Sequence, residues 1–141
     1  LQIANRIVLV MTPTLPCLKN IRQMLDILQQ SDISPDKISL VLNRAIENPG
    51  RNQRSIPTPD KISQYFKRPL DGIIPLVDES IILNAINKGV PVIASDRDTN
   101  KAPIKQLIKL GDDIYASMMG ASEEAAKDDT KDKKSSWSLF R

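Results

Sequence analysis

Short β-branched apolar runs alternate along the chain with segments whose apolar residues recur every three or four positions, the pattern of strands alternating with amphipathic helices. Ile7-Val8-Leu9-Val10-Met11, stopped by Thr12-Pro13, predicts a strand buried on both faces. A helix should follow, with Thr14 at its start, Pro16 in its first turn, and Leu18, Ile21, Leu25 and Leu28 on one face until Ser31 to Pro35 ends it. Ile38-Ser39-Leu40-Val41-Leu42 predicts a second strand that closes on Asn43-Arg44, and an irregular loop runs from there through Asn48-Pro49-Gly50 to Ser55.

Thr58-Pro59 then opens a second helix with Ile62, Tyr65 and Phe66 on its apolar face. Leu70 to Ile74 predicts a third strand, ending at Pro75. Asp78 can cap a third helix whose apolar residues Ile82, Leu83, Ala85 and Ile86 stop at Gly89, with Pro91 beyond. Val92-Ile93-Ala94 predicts a short fourth strand. A last helix is expected from about Lys101 to Met119 through Ile104, Leu107, Ile108, Ile114, Tyr115 and Met118, with Gly111 a weak point inside it. Strands and helices that alternate with connections too long for hairpins imply right-handed crossovers. The expected class is α/β: a mainly parallel sheet with helices on both faces.

Composition changes near Ser122. Glu123 to Arg141 holds five acidic and five basic residues, with Ala125, Ala126, Trp137, Leu139 and Phe140 its apolar ones. Residues 1–121 are therefore expected to be a folded portion and 122–141 a charged, disordered tail. Over the whole 141 residues, 40% are apolar and 26% charged, and no run nears the ~18 apolar residues of a membrane span. The opening Leu1-Gln2-Ile3-Ala4-Asn5-Arg6 shows neither an initiator Met nor a signal-peptide pattern, and is read as a start inside a domain.

Histidine is absent, which removes Ser-His-Asp and Cys-His catalysis and histidine metal ligands. Cys17 is alone, so neither an internal disulfide nor a thiolate zinc site can form, and a cytoplasmic, reducing setting is expected. The five glycines are isolated and none precedes Lys-Ser or Lys-Thr, so no phosphate-cradling loop is present in the sequence.

In an open α/β sheet, ligands bind outside the carboxyl ends of the strands. Thr12-Pro13, Asn43-Arg44 and Pro75 to Asp78 should therefore share one rim. The Asn43 amide sets a donor beside an acceptor, which matches the edge of adenine; equally, it could close a strand through a local turn. Pro75 either shapes a ligand site or simply ends its strand. Asp78-Glu79 has the look of an acidic pair, and capping a helix start explains it as well. Between Arg44 and Arg68, six basic residues oppose Glu47 and Asp60, so that segment carries +4 while the remainder sums to −1 of the net +3. Such a stretch can meet phosphates or an acidic partner, or be a solvated face; its two aromatic residues, Tyr65 and Phe66, belong to the apolar face of the predicted second helix, which leaves none for base stacking. Lys133 to Arg141, with Trp137 and Phe140, could touch a lipid surface or remain a free tail.

The succession Ala4-Asn5-Arg6, Thr12-Pro13, Leu40-Val41-Leu42-Asn43-Arg44, Ile74-Pro75 with Asp78, and Ala85-Ile86-Asn87-Lys88-Gly89-Val90-Pro91 resembles the C-terminal half of the MinD/ParA ATPases. Within them it is most similar to the pilus-assembly branch called CpaE or TadZ. The resemblance covers about residues 1 to 119 and rests on the ordered combination of motifs. It implies a P-loop NTPase-like fold that binds ATP with Mg2+, forms a homodimer, and acts as a spatial regulator of pilus assembly or secretion proteins, peripheral at the inner membrane or cell pole.

By that resemblance Asn43 of the Asn43-Arg44 pair holds the adenine, and Pro75, Leu76, Val77 and Asp78 pack around the base. The family's Walker A lysines, switch I aspartate and Walker B aspartate lie upstream of the matching region, and no residue here replaces them. Hydrolysis by this chain alone is accordingly not expected, and Mg2+ would be held mainly by the upstream half. Two further readings stay open. One is a nucleotide-independent scaffold that recruits pilus or secretion components through a helix face and the Arg44 to Arg68 segment. The other, DNA binding as in the ParA branch, is ranked last, and specific nucleic-acid recognition is not expected.

Overall fold

The computed structural model describes residues 4–50, 53 and 55–119. In chain order these form β1 (Ile7–Met11), α1 (Leu15–Gln30), a 3-10 turn at Pro35–Lys37, β2 (Ile38–Ala45), α2 (Pro59–Phe66), β3 (Gly72–Pro75), α3 (Glu79–Lys88) and α4 (Val92–Ser95). Residues 104–119 are helical as well. The chain divides into two units between Leu110 and Gly111. Helical residues 111–119 are what is described of the second, and everything below concerns the first.

The three strands make one parallel sheet in the order β1-β2-β3. Strand pleating sends alternate side chains to opposite faces. Leu40 and Leu42 of the central strand lie opposite Leu9 and Met11 of β1 and face a core completed by Leu18 of α1 and by Ile62 and Phe66 of α2. Leu40, Leu42 and Ile62 are wholly buried, and each such side chain contributes roughly 1.5–3 kcal/mol on leaving water. On the opposite face, Gly72 allows helical residue Leu110 to press against the sheet: a Cβ at Gly72 would stand 2.9 Å from Leu110 Cδ1.

The caps explain where the helices begin and end. Pro16 and Pro59 sit in first turns, where the missing N–H costs nothing. Thr14 and Thr58 occupy the N-cap positions without a side-chain cap bond, so the prolines and the apolar faces set these starts. Ser31 ends α1, its hydroxyl donating to the Ile27 carbonyl at 2.9 Å. In α3 the Asp78 carboxylate accepts the Ser80 N–H at 2.8 Å, and Gly89 closes the helix in the left-handed region at φ 63°.

Two expectations are corrected. Val92-Ile93-Ala94 is not a fourth strand but the body of α4, whose turn is closed by the Ala94 N–H donating to the Pro91 carbonyl. A three-residue apolar run has no period of its own, and among the described residues no strand is placed to pair with it. Likewise, β1 is not buried on both faces: Leu9 and Met11 enter the core, whereas Val8 and Val10 are 37% and 57% exposed. Only the α1 side of β1 is covered within the described residues. The predicted tail, 122–141, lies outside them.

Candidate functional site

The carboxyl end of β2 is irregular. Leu42 stands opposite Ile73 and Ala45 opposite Pro75, so Asn43 and Arg44 together oppose the single residue Ile74. This two-against-one bulge leaves both side chains exposed at the rim instead of alternating into the sheet. Arg44 takes the left-handed conformation at φ 57°, a costly one for any residue that carries a Cβ. Its N–H is satisfied by the Asn43 Oδ1 at 2.9 Å. Beyond the bulge, pairing resumes, and the Leu76 N–H donates to the Ala45 carbonyl at 2.8 Å. The Pro75-Leu76 turn is thereby locked beside Asn43-Arg44.

A cavity of about 350 Å³ opens between these two strand ends. Asn43, Arg44 and Glu79 supply its polar groups; Ile74 and Pro75 of β3, Leu76 and Val77 of the turn that follows and Ile82 of α3 line it, and Pro103 and Leu107 reach it from the segment that begins the last helix. The size falls within the range of about 300–1,000 Å³ typical of small-ligand sites, and mainly apolar walls with a few polar groups are the usual composition. The Asn43 Oδ1 keeps one lone pair beyond its bond to Arg44, and the two Nδ2 hydrogens remain as donors. That acceptor and donor pair suits an adenine edge, and the walls suit the faces of a ring.

Of the residues the sequence singled out, Asn43, Arg44, Pro75, Leu76 and Val77 line this one cavity. Asp78 does not. Its carboxylate turns back onto α3, and hydrogen bonds from Ser80, side chain first and backbone second, hold its pKa below the ordinary value. Glu79, Ile82, Pro103 and Leu107 were not foreseen as lining residues. The apolar period of the last helix was visible in the sequence, but not that its first turn reaches this rim.

Thr12, Pro13 and Thr14 from the end of β1 line a neighbouring cavity of about 370 Å³ together with Arg44, Ile46, Ile56 and Leu76. Arg44 and Leu76 thus form the divide between the two cavities. In the basic segment, Arg51 and Arg54 lie outside the described residues. Lys61 and Lys67 are exposed, but Arg68 is turned inward, its Nη2 donating to the Ile38 carbonyl at 2.6 Å. Among the described residues, no group of three or more Cys, Asp or Glu side chains is placed to hold a metal ion, and no helix is long and apolar enough to cross a membrane.

No family model and no curated protein matches the chain. Among solved structures it is similar to the MinD cell division protein of Aquifex aeolicus, with a TM-score of 0.65 and 16% identity over 80% of this chain and 44% of that one. It is also similar to a ParA family ATPase from Chlorobium tepidum TLS, with a TM-score of 0.61 and 22% identity over 80% of this chain and 42% of that one. The chain shares the fold of these ATPases, a parallel sheet flanked by helices, and spans less than half the length of either.

Proposed function

We propose that this chain is the base-binding portion of a MinD/ParA-like nucleotide-binding domain and that the cavity at the Asn43 rim takes the adenine of ATP. The observation that carries the reading is the meeting, in one cavity, of a carboxamide on a strand bulge with the turn Pro75-Leu76-Val77. Asn43 reads the edge of the base through its remaining acceptor and donor pair. Pro75, Leu76, Val77 and Ile82 enclose the ring, Arg44 stands at the cavity's other polar corner, and Asp78 acts indirectly by fixing the start of α3.

Magnesium does not fit this chain's own residues, since the rim offers Glu79 as its one carboxylate lining the cavity. No hydrolytic step is assigned to the chain. In this reading residues 1–121 form the C-terminal portion of the domain, 122–141 are an appended charged segment, and the phosphates and Mg2+ are bound by polypeptide corresponding to what the solved ATPases carry beyond the match. The ordered motifs from Leu40 to Pro91 support the MinD/ParA-like reading as a whole; within it the resemblance is greatest to the CpaE/TadZ branch, hence a homodimer that regulates pilus assembly or secretion components in space.

The test is calorimetric titration of the full chain with ATP and with adenosine. Both should bind weakly and to a similar degree, because the base supplies the contact. Asn43→Ala should weaken both by roughly tenfold, the order of 1–3 kcal/mol expected when hydrogen bonds to a buried base are lost. Equal binding by the variant would remove the adenine role.

A scaffold that ignores nucleotide is the second reading, favoured by the apolar side chains that α3 leaves in solvent, Leu83 at 50% and Ile86 at 67% exposed. It predicts partner capture that is indifferent to ATP and to Asn43→Ala and is lost with Ile86→Asp.

A further inference from the structure

The opposite end of the sheet holds an open cavity of about 450 Å³ that carries four charged side chains from the segments that lead into the three strands. Arg6 precedes β1, Asp36 stands in the 3-10 turn before β2, and Arg68 and Asp71 lead into β3. Each guanidinium is anchored through one nitrogen. The Arg6 Nε donates to the Oγ of Ser39, a residue 1% exposed, at 2.9 Å, and Arg68 Nη2 donates to the Ile38 carbonyl.

An arginine carries five N–H donors in a fixed fork, so each side chain is held in place with most of its donors unsatisfied by these bonds. Among the described residues neither guanidinium is within ion-pair distance of a carboxylate, although two aspartates line the same cavity. One of them is engaged elsewhere: the Asp71 Oδ2 accepts the Leu40 N–H at 2.8 Å. Asp36 is exposed.

Two anchored guanidiniums without a counter-ion suit an oxyanion, which they can meet through charge-assisted hydrogen bonds. The aspartates narrow the choice. A carboxylate repels a fully deprotonated anion such as sulfate, but accepts a hydrogen bond from an oxyanion that keeps a proton. Hydrogen phosphate offers both functions, charged oxygens for the arginines and a P–OH for a carboxylate.

We propose that this cavity binds a protonated phosphate group, either free hydrogen phosphate or the end of a phosphomonoester, with Arg6 and Arg68 donating to its oxygens and Asp36 accepting from its P–OH. The site lies at the other end of the strands from the Asn43 rim and does not depend on the adenine assignment. Its volume leaves room for an organic group on the phosphate.

The experiment is thermal unfolding and calorimetric titration of the full chain with inorganic phosphate, ribose 5-phosphate and sulfate at matched ionic strength. Phosphate should bind and raise Tm, and sulfate should bind roughly tenfold more weakly, the equivalent of one charge-assisted hydrogen bond. Affinity for the phosphomonoester should rise from about pH 8 to about pH 6, as the group regains its second proton. Tighter binding of ribose 5-phosphate than of inorganic phosphate supports the ester form, and equal binding supports the free anion.

Arg68→Gln should abolish the phosphate-dependent rise in Tm. A purely structural arginine would instead lower Tm equally with and without phosphate. Because Arg6 and Arg68 also support the sheet, the exposed Asp36→Asn is the second variant. It should fold normally and bring sulfate and phosphate to the same affinity. An equal response of the unmodified chain to the two anions, no response to phosphate, or a phosphate response that survives Arg68→Gln would overturn the proposal.

Discussion

The eight residues of α2 bury Ile62 and Phe66 in the core, whereas the ten of α3 bury Ala85 and leave Ile81, Ile82, Leu83 and Ile86 between 37% and 67% exposed. Different forces hold the two helices. α2 is fixed by apolar burial against Leu40 and Leu42. α3 depends on its ends, with Asp78 on the Ser80 N–H at the start and the Gly89 turn at the finish, where Val90 N–H donates to the Ala85 carbonyl. The cavity at the Asn43 rim takes Glu79 and Ile82 from the second kind of helix. One wall of the site therefore stands on an element with little local stability of its own, as elements that respond to ligands commonly do.

Removing the core side of the contrast has the largest effect. Ile62→Ala should cost about 2–5 kcal/mol, because it deletes a fully buried side chain from a tightly packed cluster, and urea unfolding followed by circular dichroism measures the loss. Arg44→Gly comes next and has the opposite sign for stability. Relief of the left-handed backbone should raise stability by up to about 1 kcal/mol, while ATP titration of the same variant shows weaker binding as the cavity loses a polar corner. A variant that gained stability and kept its affinity would show that the bulge serves the sheet and not the site.

The cap of α3 gives a smaller, pH-dependent effect. The Asp78 carboxyl has a folded pKa below its ordinary value, so its contribution is present above the ordinary carboxylate range and disappears as pH falls through the folded value. Amide exchange should accordingly show α3 opening more readily in acid, with α2 changing less. Asp78→Asn keeps a capping oxygen but has no carboxylate to titrate, and should flatten that dependence. Smallest of all, Ile86→Ser should alter the unfolding free energy by no more than about 0.5 kcal/mol, since this side chain already faces water.

The strand-helix alternation was readable because it rests on local periodicity and on punctuation by proline and glycine. Asp78 and Gly89 bound α3 where their residue types place them. Two features depended on neighbours and not on local pattern. Ile7 to Met11 carries the apolar run of a strand buried on both faces, but the sequence does not say which segments cover it, and Val8 and Val10 stand exposed. The apolar triplet Val92-Ile93-Ala94 predicts a strand by residue type alone, and with no partner strand among the described residues it forms a helical turn on Pro91 instead.

The candidate site divides in the same way. Asn43 and Pro75 could be brought to one rim from topology alone, because parallel strands end on the same side. The bulge that turns Asn43 and Arg44 outward has no glycine to announce it, and the approach of Pro103 and Leu107 to the rim is a tertiary contact that no local pattern encodes. Asp78 shows the converse. Its capping role and its ligand role were both compatible with its place in the chain, and the hydrogen bond to Ser80 engages it in the first.

The most direct test of the adenine assignment follows the side-chain amide of Asn43 by nuclear magnetic resonance while adenosine is added to the full chain. The account predicts that the Asn43 Nδ2 proton signals move in a saturable way, together with the backbone amides of Leu76 and Val77. Saturable shifts elsewhere with the Asn43 signals unmoved, or no shifts at all at millimolar adenosine, would contradict it.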